Sequence, residues 1–362
     1  MFEDTLSLLD GDDFGSDITG SQLYVSVNGE GVLNTAVGAC GRTASMTAAT
    51  KLLWLCCGKP MIIITLCAIL DELGLDEDLR VASVLPEFAR GGKGDVTLAH
   101  VLTHTVPYEG FGESWVDGGY QALSELGLMS LPWDAAVGRI CDTAVKDGPG
   151  SRVVYTVFAN WLMLAEVIQR LTGRDYEEAV RARVLEPLGM TATLLALSAP
   201  YPEPALAPMW ETGPGTDPAR YTLDSPALFG GRWPGIGARG CAEEMARPFE
   251  CIGGWRSPEL LSDAYRAKIT TARRAGLSDP LLLGTCLKWS LGLCVDPLLF
   301  GLPAGTRIVG STGIRSSLGS QDLAHGVTIS FISSNMVPAS RDWTRKRRLI
   351  RTIYRELGEG AR

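Results

Sequence analysis

Histidine is nearly absent: the 362 residues contain only His100, His104 and His325. Neither these nor the nine cysteines, two of them adjacent at Cys56-Cys57, fall at the spacings of a zinc site, so no metal is expected. Positive charge is also short. With 33 Lys+Arg against 41 Asp+Glu the net charge is −8, which argues against nucleic acids and anionic membrane surfaces as partners. The chain opens on Met1-Phe2-Glu3-Asp4, which is acidic where an export signal is basic and then apolar. The cysteines therefore read as reduced thiols of a cytoplasmic protein. No repeat and no low-complexity tract is visible. The loosest stretch, 199–224, is rich in Pro and Gly and reads as a long loop. What remains is a globular composition, 46% hydrophobic and 20% charged, in a chain long enough for one large core or two domains.

The densest chemistry lies in Leu55-Cys56-Cys57-Gly58-Lys59-Pro60. Proline is tolerated in a helix only in the first turn, where backbone N–H groups have no intrahelical partner, so a helix begins close to Cys56. Residues three apart share a helix face, which puts Cys56 with Lys59 and turns Cys57 roughly the other way. A thiol at a helix N-terminus beside an ammonium is favoured as thiolate, the reactive form. A desolvated, neutral Lys59 would instead serve as a base. Either state activates a nucleophile. Two plainer readings stand beside this one. Residues 52–70 are 19 in number and mostly apolar, enough for a membrane span. Lys59 near the bilayer centre would cost roughly 3 kcal/mol, however, and Gly58-Pro60 would break the span. The other plain reading is a buried core helix with inert thiols.

Elsewhere the pattern mixes strand and helix. Residues 22–27 and 32–37 are rich in β-formers and flank the turn Asn28-Gly29-Glu30-Gly31, which predicts a hairpin. Residues 61–73 predict a helix apolar on nearly every face, closed by Gly74 as C-cap. Residues 327–333 read as a strand and 341–357 as a basic amphipathic helix.

Further motifs follow in order: Gly74-Leu75-Asp76-Glu77-Asp78-Leu79, Val84-Leu85-Pro86-Glu87-Phe88, Val96-Thr97-Leu98-Ala99-His100-Val101-Leu102-Thr103-His104-Thr105, Pro149-Gly150-Ser151-Arg152-Val153-Val154-Tyr155, Gly173-Arg174-Asp175-Tyr176, Leu185-Glu186-Pro187-Leu188-Gly189-Met190, Trp289-Ser290-Leu291-Gly292 and Val309-Gly310-Ser311-Thr312-Gly313. Each alone is weak. In this order behind C-x-x-K, the set resembles the serine β-lactamase and penicillin-binding-protein superfamily, and within it the class C-like esterases and acyltransferases. The likeness covers roughly residues 20–355. It implies an α+β fold: an antiparallel sheet flanked by helices from residues 1–75 and 235–362, a mostly helical domain from 76–234, and an active site between them.

The resemblance also implies roles. In the family a serine attacks an acyl carbonyl, the lysine three later activates it, and a tyrosine relays protons; the matching positions are Cys56, Lys59 and Tyr155. The backbone N–H groups of Cys56 and Ile314 would form the oxyanion hole, worth several kcal/mol of barrier. Ser311-Thr312-Gly313 stands where the family has K-T-G, so the lysine that binds a substrate carboxylate is missing. Ser311 offers its hydroxyl either to substrate or to backbone, and Gly313 permits close approach of the chain. Val157 stands where an asparagine usually holds a substrate amide, which argues against β-lactam recognition. His104, the T-H-T histidine, is structural in the family, and His325 reads as a turn residue. Trp210, Trp233 and Trp255 either wall a pocket for an apolar acyl or planar group or simply pack.

The largest departure is cysteine for the nucleophilic serine. A thiol, with an ordinary pKa of about 8.5, needs less help from a base than a hydroxyl. Its acyl-enzyme is a thioester, more reactive toward amines than an oxygen ester, which favours transfer over hydrolysis. A cysteine introduced to trap an intermediate is the competing explanation. The expectation is a cytoplasmic acyltransferase of natural-product (antibiotic) biosynthesis. It would act on a small-molecule acyl donor and acceptor without cofactor, ATP or metal. An esterase or thioesterase with water as acceptor, a peptidase or β-lactamase, and a non-catalytic binding protein are the alternatives.

Overall fold

The structure, a computed structural model, describes residues 1–10, 20–40, 44–111, 115–116, 119–120, 127–128, 130–196, 210–211, 231–279 and 285–358. Near its start, helix α1 (Glu3–Asp10) precedes a hairpin of β1 (Gly20–Val27) and β2 (Glu30–Cys40). The turn is tighter than the four residues expected. Asn28 and Gly29 alone make it, with φ of 51° and 77°, the doubly left-handed pair whose twist suits a hairpin. Both strands consequently run longer than predicted.

A short β3 (Ala44–Ser45) pairs antiparallel with the end of β2. Then come α2 (Lys59–Glu72), α3 (Leu98–Leu102), α4 (Trp133–Asp142), α5 (Ala159–Thr172) and α6 (Ala242–Gly253). The chain returns as β4 (Ile308–Thr312), β5 (Ser317–Asp322) and β6 (Val327–Ser333) and ends on α7 (Ala339–Glu356). The strands form one six-stranded antiparallel sheet in the order β3-β2-β1-β6-β5-β4. The centre joins the two ends of the chain, with Leu23 opposite Phe331 and Val25 opposite Ile329.

Side chains alternate across a strand, and here both faces are covered. Leu23, Val25, Ile329 and Phe331 pack with Leu8 and Leu9 of α1 and with Leu349, Ile350 and Ile353 of α7. On the opposite face Tyr24, Val309 and Ile332 join the core of α2 and α6. The fold is thus α+β, as the motif order implies. The predicted C-terminal amphipathic helix is present as α7, and three of its charged residues, Asp342, Arg345 and Lys346, are buried.

The helix behind Cys56 is built in two parts. Leu55–Gly58 form a 3-10 helical turn, and the α-helix proper starts at Lys59, with Pro60 in its first turn. Burial on nearly every face follows from its apolar sequence and its place between α6 and α5. Gly74, at φ 63°, closes it: the Gly74 N–H donates to Asp71 O at 3.1 Å and the Leu75 N–H to Leu70 O at 2.8 Å. Among the described residues no helix is long and apolar enough to cross a membrane. Of the expected loop over 199–224, only Trp210–Glu211 lie within the described residues, as a short strand parallel to Asn335–Met336.

Candidate active site

The turn carrying Cys56 is held from three sides. Trp54 N–H donates to Ala238 O at 2.9 Å, the Trp54 indole N–H donates to Gly240 O at 2.9 Å, and Ser317 Oγ donates to Trp54 O at 2.7 Å. These contacts hold Leu55 at φ 51°, a left-handed conformation that costs a residue with a Cβ about 1–2 kcal/mol. The strain sits on the residue immediately before Cys56. In the 3-10 turn that follows, residues three apart eclipse each other, so Cys56 and Lys59 stand one above the other. That is the face argument from the sequence, reached by a tighter helix than expected.

The two thiols part. The Tyr155 O–H donates to Cys56 Sγ at 3.5 Å. Cys57 Sγ instead donates to Ser311 O and accepts from Ser317 Oγ, both at 3.4 Å, against β4 and β5. Burial pushes the Cys57 thiol up to about 11. Lys59 is 1% exposed, and its Nζ has no hydrogen-bond partner among the described residues. Lys59 Nζ lies 5.0 Å from the Trp161 ring centroid and 5.5 Å from that of Tyr155. One tyrosine thus touches the thiol with its hydroxyl and the lysine with its ring.

Tyr155 is placed by the segment leading into α5. Gly150 N–H donates to Thr105 O and Val154 N–H to His104 O, both at 2.9 Å. The His104 ring stacks on Tyr155 at 4.1 Å between centroids, and Asn160 Nδ2 lies 3.3 Å from its Nδ1. Burial first, then the charges of Lys59 and Arg274, hold the His104 imidazole well below its ordinary range. It is a neutral platform under Tyr155. The consequence for stability has a definite sign. Unfolded, the ring titrates near 6.5; folded, it resists protonation, so its contribution is intact above about pH 6.5 and is lost as pH falls below that. His104→Phe keeps a stacking ring and is expected to flatten the decline of Tm between pH 7 and 5. An unchanged slope in thermal melts would assign that decline to other groups.

Opposite Tyr155, the end of β4 presses on the nucleophile turn. A Cβ on Gly313 would collide with Ser317 Oγ and stand 2.9 Å from Trp54 O, so only glycine fits. The Ile314 N–H donates to no other backbone group among the described residues, and the Ile314 side chain packs on Leu53 and Leu55. Of the two alternatives for Ser311, the geometry has the backbone one: Oγ donates to Cys56 O at 3.1 Å. Thr312, half-buried, ends the strand.

Val157, Phe158, Trp233 and Ile236 form a buried apolar cluster with Cys56, against which Tyr155 packs. Phe158 and Trp233 meet edge-to-face at 5.5 Å. Gly235, at φ 79°, brings this segment across the lysine, and a Cβ there would lie 3.1 Å from Lys59 Cγ. Trp255 is not part of this wall. It is 41% exposed at the end of α6, with its backbone against Gly29 of the hairpin turn, which overturns its reading as a pocket residue. Trp210's side chain lies outside the described residues. His325 sits in the turn after β5, its Nδ1 2.9 Å from Asp322 Oδ2. Sequence reasoning missed Phe158, Ile236 and Trp161, which carry no pattern of their own; adjacency to Val157 was the one available hint for Phe158.

The chain is similar to several characterised proteins. It is 28% identical to Esterase EstB of Burkholderia gladioli over 69% of its own length and 70% of the esterase. It is also 28% identical to monacolin J acid methylbutanoyltransferase of Aspergillus terreus, over 32% of this chain and 28% of that protein. A solved structure described as "EstCE1, a hydrolase with promiscuous acyltransferase activity" superposes with a TM-score of 0.80 at 18% identity, covering 96% of this chain and 97% of that one, which shows the shared fold. The chain is accordingly an enzyme of this fold, a hydrolase or an acyltransferase. The sequence model of the Beta-lactamase family matches residues 8–352, nearly the whole length described above from α1 to α7, and the chain belongs to that family.

Proposed function

We propose that the protein is an acyltransferase that carries its acyl group on Cys56. The observation that carries this reading is the Tyr155 hydroxyl on Cys56 Sγ with the Lys59 amine, which has no hydrogen-bond partner among the described residues, behind the same ring. Cys56 Sγ attacks the carbonyl carbon of an ester or thioester while its proton passes to Lys59, directly or through Tyr155. The carbonyl electron pair moves onto oxygen, which the N–H groups of Cys56 and Ile314 receive. Collapse expels the alcohol or thiol, which takes the proton back from Tyr155. An acceptor amine or alcohol then attacks the thioester, loses its proton to the Tyr155–Lys59 pair, and releases Cys56. The apolar cluster around Cys56, with Ser311 in place of a cation, favours an uncharged acyl group.

Likeness to a methylbutanoyltransferase supports transfer and a place in natural-product assembly. Likeness to an esterase over a larger share of the chain supports a second reading, hydrolysis by the same residues. The acidic composition and the lack of disulfides among the described cysteines support a cytoplasmic setting and small-molecule partners.

The test is intact-protein mass spectrometry with peptide mapping after incubation with a panel of small acyl esters and thioesters, repeated with an added amine. The expected result is a mass increase on Cys56 that the amine discharges as amide. Release as free acid alone, with amine present, would favour the esterase. A folded protein that takes no acyl group at any thiol would sink both.

A further inference from the structure

Behind the end of β4 lies a buried charge cluster that the reaction above does not use. Asp342, Arg345 and Lys346, one turn apart on α7, are 5%, 3% and 3% exposed. Arg345 Nε donates to Asp342 Oδ1 at 3.0 Å and Lys346 Nζ to Asp342 Oδ2 at 2.6 Å. One carboxylate thus answers two cations. Both cations turn toward the same loop. Lys346 Nζ donates to Gly313 O at 3.3 Å, an oxygen that also accepts from Ser316 N–H at 3.3 Å. Arg345 Nη2 donates to Arg315 O and to Ser333 Oγ, both at 3.0 Å. Arg315 is held at φ 56°, and its own Nε donates to Val337 O at 2.5 Å.

The carbonyl of Gly313 and the N–H of Ile314 are the two ends of one peptide group. We propose that Lys346 is a positioning residue of the oxyanion hole, fixing the Gly313–Ile314 peptide and polarising it so that the Ile314 N–H becomes a stronger donor. A cation on the carbonyl oxygen draws electron density through the conjugated C–N bond, and bonds linked this way strengthen one another. Being desolvated, the charge is screened little by salt or water. Its effect grows as negative charge builds on the substrate oxygen, so it acts on the transition state more than on bound substrate. Burial lowers the lysine's proton affinity and the Asp342 carboxylate beside it opposes that fall, which is the office the carboxylate serves here.

The inference rests on the acyl-transfer reading, and its test separates the two. Lys346→Met removes the donor and the charge yet leaves Asp342 paired with Arg345. Single-turnover acylation of Cys56 by p-nitrophenyl butyrate is compared with alkylation of Cys56 by iodoacetamide, a displacement that builds no oxyanion. Lys346→Met is expected to slow acylation about tenfold or more, in the maximal acylation rate constant rather than the half-saturating ester concentration, with alkylation within about twofold of wild type. Lys346→Arg, which restores a cationic donor, should recover much of the rate. Lys346→Gln, polar but uncharged, is carried in parallel should the methionine variant fail to fold, and is expected to show the same split. An unchanged acylation rate in a folded variant, or acylation and alkylation falling together, overturns the proposal. A wild-type protein that alkylates at Cys56 but takes no butyryl group overturns the acyl-transfer reading, and this inference with it.

Discussion

Cys56→Ala is expected to abolish acylation of the protein, whereas Cys57→Ala retains most of it. The two thiols are neighbours in sequence and opposites in environment. Cys56 meets the Tyr155 hydroxyl inside the apolar cluster of Val157, Phe158, Trp233 and Ile236. Cys57 lies between the backbone of Ser311 and the hydroxyl of Ser317, with its thiol pushed up to about 11 by burial. Near pH 7.5 well under about one in a thousand such thiols is ionised, and thiolate is the nucleophile. Removing Cys57 deletes one buried sulfur, on the order of 1 kcal/mol of packing, which lowers Tm without touching the reacting atoms. Peptide mapping after acylation decides the matter; a butyryl group found on Cys57 would falsify the assignment.

Lys59→Met is expected to slow acylation at least about 100-fold, the usual scale for losing a positioned acid–base group. Methionine is chosen for shape: it fills the space beside Trp161 and Gly235 without the amine, so a slow variant reports chemistry rather than a cavity. A buried amine with no hydrogen-bond partner is expensive unless something uses it, and the thiol above it offers a proton. Single-turnover kinetics on the folded variant give the answer, and a near-normal rate removes Lys59 from the mechanism.

How much of this was legible in the sequence differs by residue. The shared face of Cys56 and Lys59 was, because C-x-x-K with a proline behind it admits few geometries, whereas Tyr155 entered only through the family resemblance that Pro149-Gly150 helps to carry. The sheet was legible through its hairpin and through Val327–Ser333, where β-formers cluster. Local spacing cannot foresee burial decided by distant packing. Asp342, Arg345 and Lys346 look like the polar stripe of a surface helix, and only the approach of the β4–β5 turn takes them out of water. Trp233 and Trp255 are the same residue type and carry no local pattern to tell them apart, yet one lines the Cys56 cluster and the other is 41% exposed. Ser311 left two partners open, and the close approach enforced at Gly313 selected the backbone.

The pairing of β1 with β6 also bears on how the molecule comes into being. These central strands lie about 300 residues apart, and at a synthesis rate of roughly 5–20 residues per second the ribosome makes them on the order of 15–60 s apart. Through that interval the hairpin has emerged with the apolar face of Leu23, Val25 and Leu33 uncovered and its inner edge unpaired, a surface that invites wrong partners. The nascent chain then already contains Cys56 and Lys59 but not the Gly313–Ile314 peptide or the helix behind it. Catalytic competence therefore arrives in one late step, when the last strands and α7 leave the ribosome. Chains stalled before residue 313 should react with iodoacetamide yet fail to take an acyl group. The long-range pairing makes for slow refolding, and on the proposed mechanism it leaves unfinished copies with a nucleophile but no oxyanion hole.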